Sequence, residues 1–249
     1  MKDNITVILT VYKRPIRYVE EQLVALKAQT IQAEDIWIWY NKPEDKPHEN
    51  LARFNCKVIY STHNFKFHGR FMLAMLAKTK YVAIFDDDTI PSTKWFESCL
   101  NTIKNGCDGI LGATGVILER KTSYVPHTKY GWNGKRNETP IEVDLVGHAW
   151  FLNKNYLRYL CYEEPIMYET GEDMQLSFFA QKHGNIKTYV PPHPNKDRSL
   201  WGSDFQKGMA YGTDNCGASS ATNGKKSLEY RNKCVKECVD NGWKLVKVK

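Results

Sequence analysis

The chain has 249 residues and a mass of 28.8 kDa, enough for one sizeable core or two small ones. With 42% hydrophobic and 25% charged residues it reads as globular, which excludes a disordered or fibrous chain. Lys and Arg outnumber Asp and Glu by 35 to 28, a net +7 spread along the chain apart from a Lys-richer stretch from Lys225 to Lys249. A nucleic-acid binder concentrates its charge more sharply, so the excess points to an anionic ligand or an acidic surface.

No apolar run approaches the roughly 18 residues of a membrane span, and Met1 to Asn4 lead straight into a strand with no room for a signal peptide. The seven cysteines (56, 99, 107, 161, 216, 234, 238) include no CxxC pair. An odd count without a leader favours free thiols in a reducing, cytoplasmic compartment. Cys234 and Cys238 stand four apart on a predicted helix, where one buried and one exposed thiol is expected rather than a metal pair.

In chain order, the β-branched run Ile5 to Val11 predicts a strand buried on both faces. Lys13-Arg14-Pro15 breaks it, and Tyr18 to Gln29 has helical spacing. Ile36 to Tyr40 is a second strand, stopped by Asn41-Lys42-Pro43, and Lys57 to Tyr60 a short third. A helix over Arg70 to Lys78 and a strand over Tyr81 to Phe85 follow. This alternation predicts an α/β fold with a mostly parallel central sheet flanked by helices. Further on, Lys94 to Asn105 reads as helix, Gly109 to Leu118 and Glu142 to Phe151 as strands, and Glu119 to Pro140 between them as a surface excursion. Asp173 to His183 is helical, Lys187 to Val190 a short strand, Pro191 to Gly224 largely irregular, and Ser227 to Asn241 a last helix.

Asp86-Asp87-Asp88 directly follows the fourth strand, and ligands of open parallel sheets sit beyond the carboxyl ends of the strands. Three adjacent carboxylates repel one another unless solvated or neutralised by a cation. In extended chain Asp86 and Asp88 share a side, which suits Mg²⁺ or Mn²⁺ with a diphosphate completing the shell. The plain alternative is a solvated acidic turn ahead of Pro91. Two chemistries use paired acids of this kind: a phosphatase-like nucleophile and general acid, and the DxD motif of nucleotide-sugar transferases. The phosphatase motif belongs after the first strand of its fold, whereas three strands precede this triplet.

The opening ITVILTVYKRP resembles the first strand and nucleotide loop of family 2 glycosyltransferases, and also the exostosin-like transferases of family 64. Asn41 after a Trp-rich strand, the stretch NFKFHGRF (Asn64 to Phe71) and the acid triplet match the exostosin-like order. Gly171-Glu172-Asp173-Met174 resembles the Glu-Asp motif that opens a helix in the catalytic half of both families. The resemblance covers roughly residues 4 to 190 and implies one GT-A domain over 1–249: a Rossmann-like nucleotide half (1–90), an acceptor half (91–224) and a basic C-terminal helix (225–249).

The resemblance also implies the site. Thr10, Tyr12, Arg14, Asn41, Asn64, Arg70, Asp86 and Asp87 would hold a nucleotide-diphosphate sugar, with UDP the nucleotide, and Arg14 and Arg70 would reach phosphate. Asp86, Asp88 and His193 would hold Mn²⁺ or Mg²⁺, with Lys196 or Arg198 neutralising leaving-group charge. Asp173, beside Glu172, would be the catalytic acid or base, favoured at a helix start by the dipole. His148 and Trp150 would contact a glycan or other hydroxyl acceptor, with Trp132 the wall member in the excursion Tyr124 to Asn137. The reading is a metal-dependent hexosyl- or pentosyltransferase of glycan biosynthesis. It uses no nucleic acid and no transmembrane segment, and its basic tail is a candidate for peripheral membrane contact. A HAD-like phosphatase using Asp86 and Asp88, or a catalytically silent carbohydrate-binding protein, are the alternatives. Family 2 enzymes invert and family 64 enzymes retain, so the stereochemistry stays open.

Overall fold

The computed structural model describes residues 4–41, 49–213 and 219–248. Nine strands form one sheet: β1 (Ile5–Val11), β2 (Asp35–Asn41), β3 (Lys57–Ser61), β4 (Tyr81–Phe85), β5 (Gly109–Leu118), β6 (His127–Gly131), β7 (Ile141–Val143), β8 (Leu145–Asn153) and β9 (Lys187–Val190). Their order is β3-β2-β1-β4-β8-β5-β9-β7, with β6 on β5. The half that opens the chain is parallel throughout, because crossover segments return each strand in the same direction. From β4 onward the sheet is mixed: β8 runs antiparallel to both β4 and β5, and only β9 on β5 is parallel.

Alternation sends the strand residues to two cores. Ile5, Val7, Leu9 and Val11 of β1 pack against helices α1 (Ile16–Lys27) and α3 (Trp95–Lys104), with Leu23, Leu26, Trp95 and Phe96. On the opposite face, Ile8 joins Phe71 of α2 (Gly69–Ala74), Phe178 and Phe179 of α4 (Glu172–Gly184), and Val235 of α6 (Ser219–Asp240). Among the described residues α5 (Phe205–Gly212) is a further α-helix.

Several expectations are corrected. The strand expected over Glu142 to Phe151 divides at Asp144, whose buried carboxylate accepts the Leu118 N–H and the Val246 N–H, each at 2.7 Å. The excursion is less open than its composition suggests: β6 pairs with β5, and Arg136 ties the following turn by donating to Trp132 O at 2.7 Å and Gly134 O at 3.0 Å. The stretch after Pro191 holds a helical turn at Arg198–Leu200 and α5, each with its own Asp side-chain cap (Asp197 and Asp204). Cys234 and Cys238 are both buried, since α6 lays this face on the core instead of leaving one thiol outside. Met1, Lys42, Pro43, Cys216 and Lys249 lie outside the described residues.

Candidate active site

The acid triplet leaves the carboxyl end of β4 and is held by backbone contacts from two directions. Gln22, buried on α1, donates its amide to Asp86 O at 2.7 Å and to Thr89 O at 3.0 Å. The carbonyl of His148 on β8 accepts Asp86 N at 2.9 Å and Thr89 Oγ1 at 2.9 Å. His148 itself sits at φ 64, in the left-handed region. The β5–β8 register shifts at this point, between Gly112 and Thr114, so two residues of β8 oppose one of β5. A bulge re-aims a side chain out of the sheet alternation, and here it turns the imidazole toward Asp88. Nδ1 lies 3.7 Å from Asp88 Oδ1 and has no hydrogen-bond partner among the described residues, while Nε2 faces Asn133 Nδ2 at 3.4 Å.

Asp86, Asp88 and His148 each offer a ligand atom, all within 4.8 Å of one another. Two carboxylate oxygens and an imidazole nitrogen with no hydrogen-bond partner among the described residues fit a divalent metal ion. His193, expected as the third ligand, is elsewhere: its Nδ1 meets Pro191 O at 2.8 Å and its Nε2 accepts Gly202 N at 3.0 Å. With both nitrogens engaged in a fully buried pocket beside Trp95 and Trp201, it braces the fold and has no lone pair for an ion. His148, expected to meet the acceptor, takes the position beside the acids.

Arg70 joins the two halves of the site. It is buried on α2 and pairs with Asp86 on one side and, at 2.8 Å, with Glu172 Oε1 on the other. Its guanidinium lies 4.4 Å from the Trp150 ring centroid, and Trp150 stands edge-on to Phe71. Trp150 is therefore the floor under Arg70, too buried to face an acceptor. Trp132 is similarly removed from any acceptor wall: it is 1% exposed and packs edge-on to His148.

Arg14 leans back from the end of β1, its Nε 3.0 Å from Asp87 Oδ1 and its Nη1 donating to Tyr211 O at 3.1 Å. Thr10 and Tyr12 stand at the same strand end, half-buried, and Thr10 Oγ1 has no hydrogen-bond partner among the described residues. Asn41 and Asn64 are committed differently from the expectation. Asn41 donates to Asn64 Oδ1 at 2.9 Å and to Lys66 O at 3.1 Å and accepts Phe65 N at 2.9 Å, so its amide shapes the loop after β3 and offers little to a base. Helix α5 closes over this region: Tyr211 stacks on Tyr18 at 3.9 Å, and a Cβ on Gly212 would come within 2.9 Å of Asp88 Oδ2.

Burial and neighbouring acids set the protonation. Asp87 is pushed up to about 7 by burial and by Asp88 and Asp86, against the pull of Arg14. Burial works to raise Asp88 too, but His148 and Arg14 hold it below the usual range. Glu172 rises to about 7 through burial and the adjacent Asp173, against Arg70. Asp173 is raised by burial, with Arg231 the foremost opposing charge. Asp173 opens α4 half-buried, its Oδ1 accepting Met174 N at 2.8 Å, and a Cβ on Gly147 would lie 3.9 Å from its Oδ2. Gly171 before it has φ 80, and any Cβ there would meet Cys234 Sγ at 2.8 Å, so α6 fixes the start of α4 only with glycine at this position.

A model of glycosyl transferase family 2 matches residues 6–161, more than half of the chain. The chain belongs to glycosyl transferase family 2. Among solved structures it resembles the crystal structure of S. aureus TarS 1–349 with a TM-score of 0.53 and 16% identity, over 77% of this chain and 61% of that one. That likeness bears on the fold, which is of the GT-A type, and this chain spans less than two thirds of the TarS chain. No curated protein matches. Family membership removes the phosphatase alternative and agrees with acids that follow β4 rather than the first strand. The matched segment ends before Glu172 and Asp173, so their link to the acid triplet rests on Arg70. Among the described residues no helix is long and apolar enough to cross a membrane.

Sequence reasoning missed Gln22, Asn133, Tyr211 and Gly212. A glutamine on the apolar stripe of α1 was a readable signal; the other three depend on tertiary closure.

Proposed function

We propose that this family 2 enzyme transfers a hexosyl or pentosyl group from a UDP-linked sugar to a hydroxyl of a glycan or sugar-like acceptor, in the cytoplasm. The observation that carries this reading is Arg70, whose buried guanidinium holds the metal-side acid Asp86 and the helix-start acid Glu172 in one cleft. Asp86, Asp88 and His148 would hold Mn²⁺ or Mg²⁺, which when bound supplies Lewis-acid stabilisation of the departing diphosphate. Thr10 and Tyr12 flank the nucleoside, and Arg14, oriented by Asp87, supports the phosphates. Residues 1–90 thus carry most of the donor site, to which 91–224 adds His148 and the cover of α5, and the rest of 91–224 serves the acceptor with α6.

Asp173 is the general base. Its raised pKa brings it closer to that of a hydroxyl under attack, and it has open space toward Gly147. The acceptor oxygen bonds to the anomeric carbon, the carbon–oxygen bond to the diphosphate breaks, and the acceptor proton passes to Asp173. Family 2 membership favours this single displacement, with inversion. Glu172, occupied by Arg70, keeps the start of α4 in place.

Asp173→Asn should lower transfer about 10²- to 10⁴-fold while UDP binding with Mn²⁺ stays at the wild-type level. Full transfer by that variant would remove Asp173 from the role. A wild-type chain that binds UDP but releases none from UDP-sugars across an acceptor panel would be a silent carbohydrate binder.

A further inference from the structure

Two cations that the donor site does not use lie on different elements: Arg231, whose charge acts on Asp173, and Lys129, whose charge acts on Arg231 and whose cross-strand partner Val116 packs in the core with Val235 of α6. Arg231, half-buried on α6, lies with its guanidinium carbon 5.3 Å from the Tyr124 ring centroid. Its neighbour Asn232 accepts Tyr124 N at 2.8 Å, so α6 and the segment leading into β6 are fastened together at this point. One turn further along the same face, the Cys234 thiol packs on Gly171, donating to its carbonyl at 3.8 Å. That contact carries Arg231 to the Asp173 side of the cleft. Lys129 approaches from β6, opposite Val116 of β5.

The electrostatics agree with this placement. Arg231 opposes the burial that raises Asp173, and Lys129 is lowered by burial of its stem and by Arg231. Lys129 also opposes the charging of His148. Among the described residues neither Lys129 nor Arg231 has a carboxylate partner in an ion pair. Arg14 and Arg70 are matched by Asp87, Asp86 and Glu172, and a metal would be matched by Asp88 and a diphosphate. Asp173 is left against Arg231, and Lys129 adds a second positive charge that acts on Arg231, an excess that an incoming anion would balance.

We propose that Lys129 and Arg231 form an anion subsite on the acceptor side of Asp173, so that the acceptor carries a phosphate group beside its reacting hydroxyl. This rests on the glycosyl-transfer reading. A planar guanidinium grips phosphate oxygens in pairs and Lys129 adds a mobile point charge, which suits phosphate better than a neutral hydroxyl. Tyr124, stacked under Arg231, holds the guanidinium in place.

The test is calorimetric titration of the full chain, loaded with Mn²⁺ and UDP, with glucose 6-phosphate and with methyl glucoside. The phosphorylated sugar should bind at least about 10-fold more tightly. Lys129→Gln and Arg231→Gln should each weaken it about 10-fold and leave the neutral sugar unchanged. Equal binding of the two sugars, or variants that keep wild-type affinity for the phosphate, would overturn the subsite. Lys129 is exposed, so its variant tests the subsite even where Arg231→Gln unfolds the chain. The same titration on Asp88→Ala without metal or UDP separates the two ideas: failure of UDP to bind the wild type overturns the donor reading alone. In that background, loss of glucose 6-phosphate binding on adding Lys129→Gln supports the subsite, and unchanged binding overturns it.

Discussion

Replacing Arg70 with Met keeps most of the stem volume and removes the charge that two acids share. Its side chain is 5% exposed, Glu172 is 8% exposed and Asp86 29%, so solvent screens the Glu172 pair hardly at all. Breaking a buried ion pair from one side costs about 3–5 kcal/mol, because a desolvated carboxylate is left behind. Loss of the contact to the Trp150 face removes about 0.5–2 kcal/mol that belongs to the same residue and is not simply additive. For a chain of this size about 3–5 kcal/mol lowers Tm by roughly 6–20 °C. The penalty should depend on pH in a definite sense. Glu172 already titrates near 7 in the wild type, above its unfolded value, so its ionisation weakens the folded state as pH rises through 7. Without Arg70 its pKa climbs further, and the gap between variant and wild type widens with pH. Differential scanning calorimetry of both proteins at pH 5.5 and 8.5 measures this. A Tm loss under 2 °C, or one equal at the two pH values, would refute the assignment of Arg70 as the partner of a buried acid.

Asp144→Asn can accept only one of the two backbone N–H groups that Asp144 now accepts, and the orphaned one should cost about 1–3 kcal/mol. Burial raises Asp144 to about 6, so wild-type stability falls as pH rises through 6 while the amide's does not. Urea unfolding should show the variant's deficit largest near pH 5 and smaller at pH 8, and a deficit that grows with pH would contradict this. His148→Asn tolerates the left-handed backbone but removes the imidazole, so Mn²⁺ affinity should fall about 10- to 100-fold with little change in Tm. Unchanged Mn²⁺ binding by calorimetry would remove His148 from the metal set.

The first half of the fold was legible because each element obeys one rule at a time. In β1 and β4 every residue is apolar or β-branched, as burial on both faces demands, and a break of turn residues follows β1. The second half obeys several rules at once. Asp144 splits a run that reads as one strand, and a carboxylate inside an apolar stretch gives no hint that two backbone N–H groups from distant segments will converge on it. The stretch after Pro191 looks irregular because its short helices depend on Asp caps and on aromatic contacts made across the molecule, such as Tyr211 on Tyr18.

The same distinction separates the acids of the site from their partners. Asp86 and Asp88 were legible because a charged triplet at the end of a buried strand has few uses, and Arg70 because it begins the helix that leads to the acid-bearing strand. The choice between His193 and His148 was not legible. Both follow small or rigid residues and both lie among tryptophans, and what separates them is a single extra residue in β8. Without the bulge, strand alternation would leave the imidazole of His148 out of line with Asp88. The bulge also presents the His148 carbonyl to Asp86 N and Thr89 Oγ1. One irregularity of β8 therefore positions the third candidate ligand and at the same time holds the Asp86 N–H and the Thr89 hydroxyl that flank the acids.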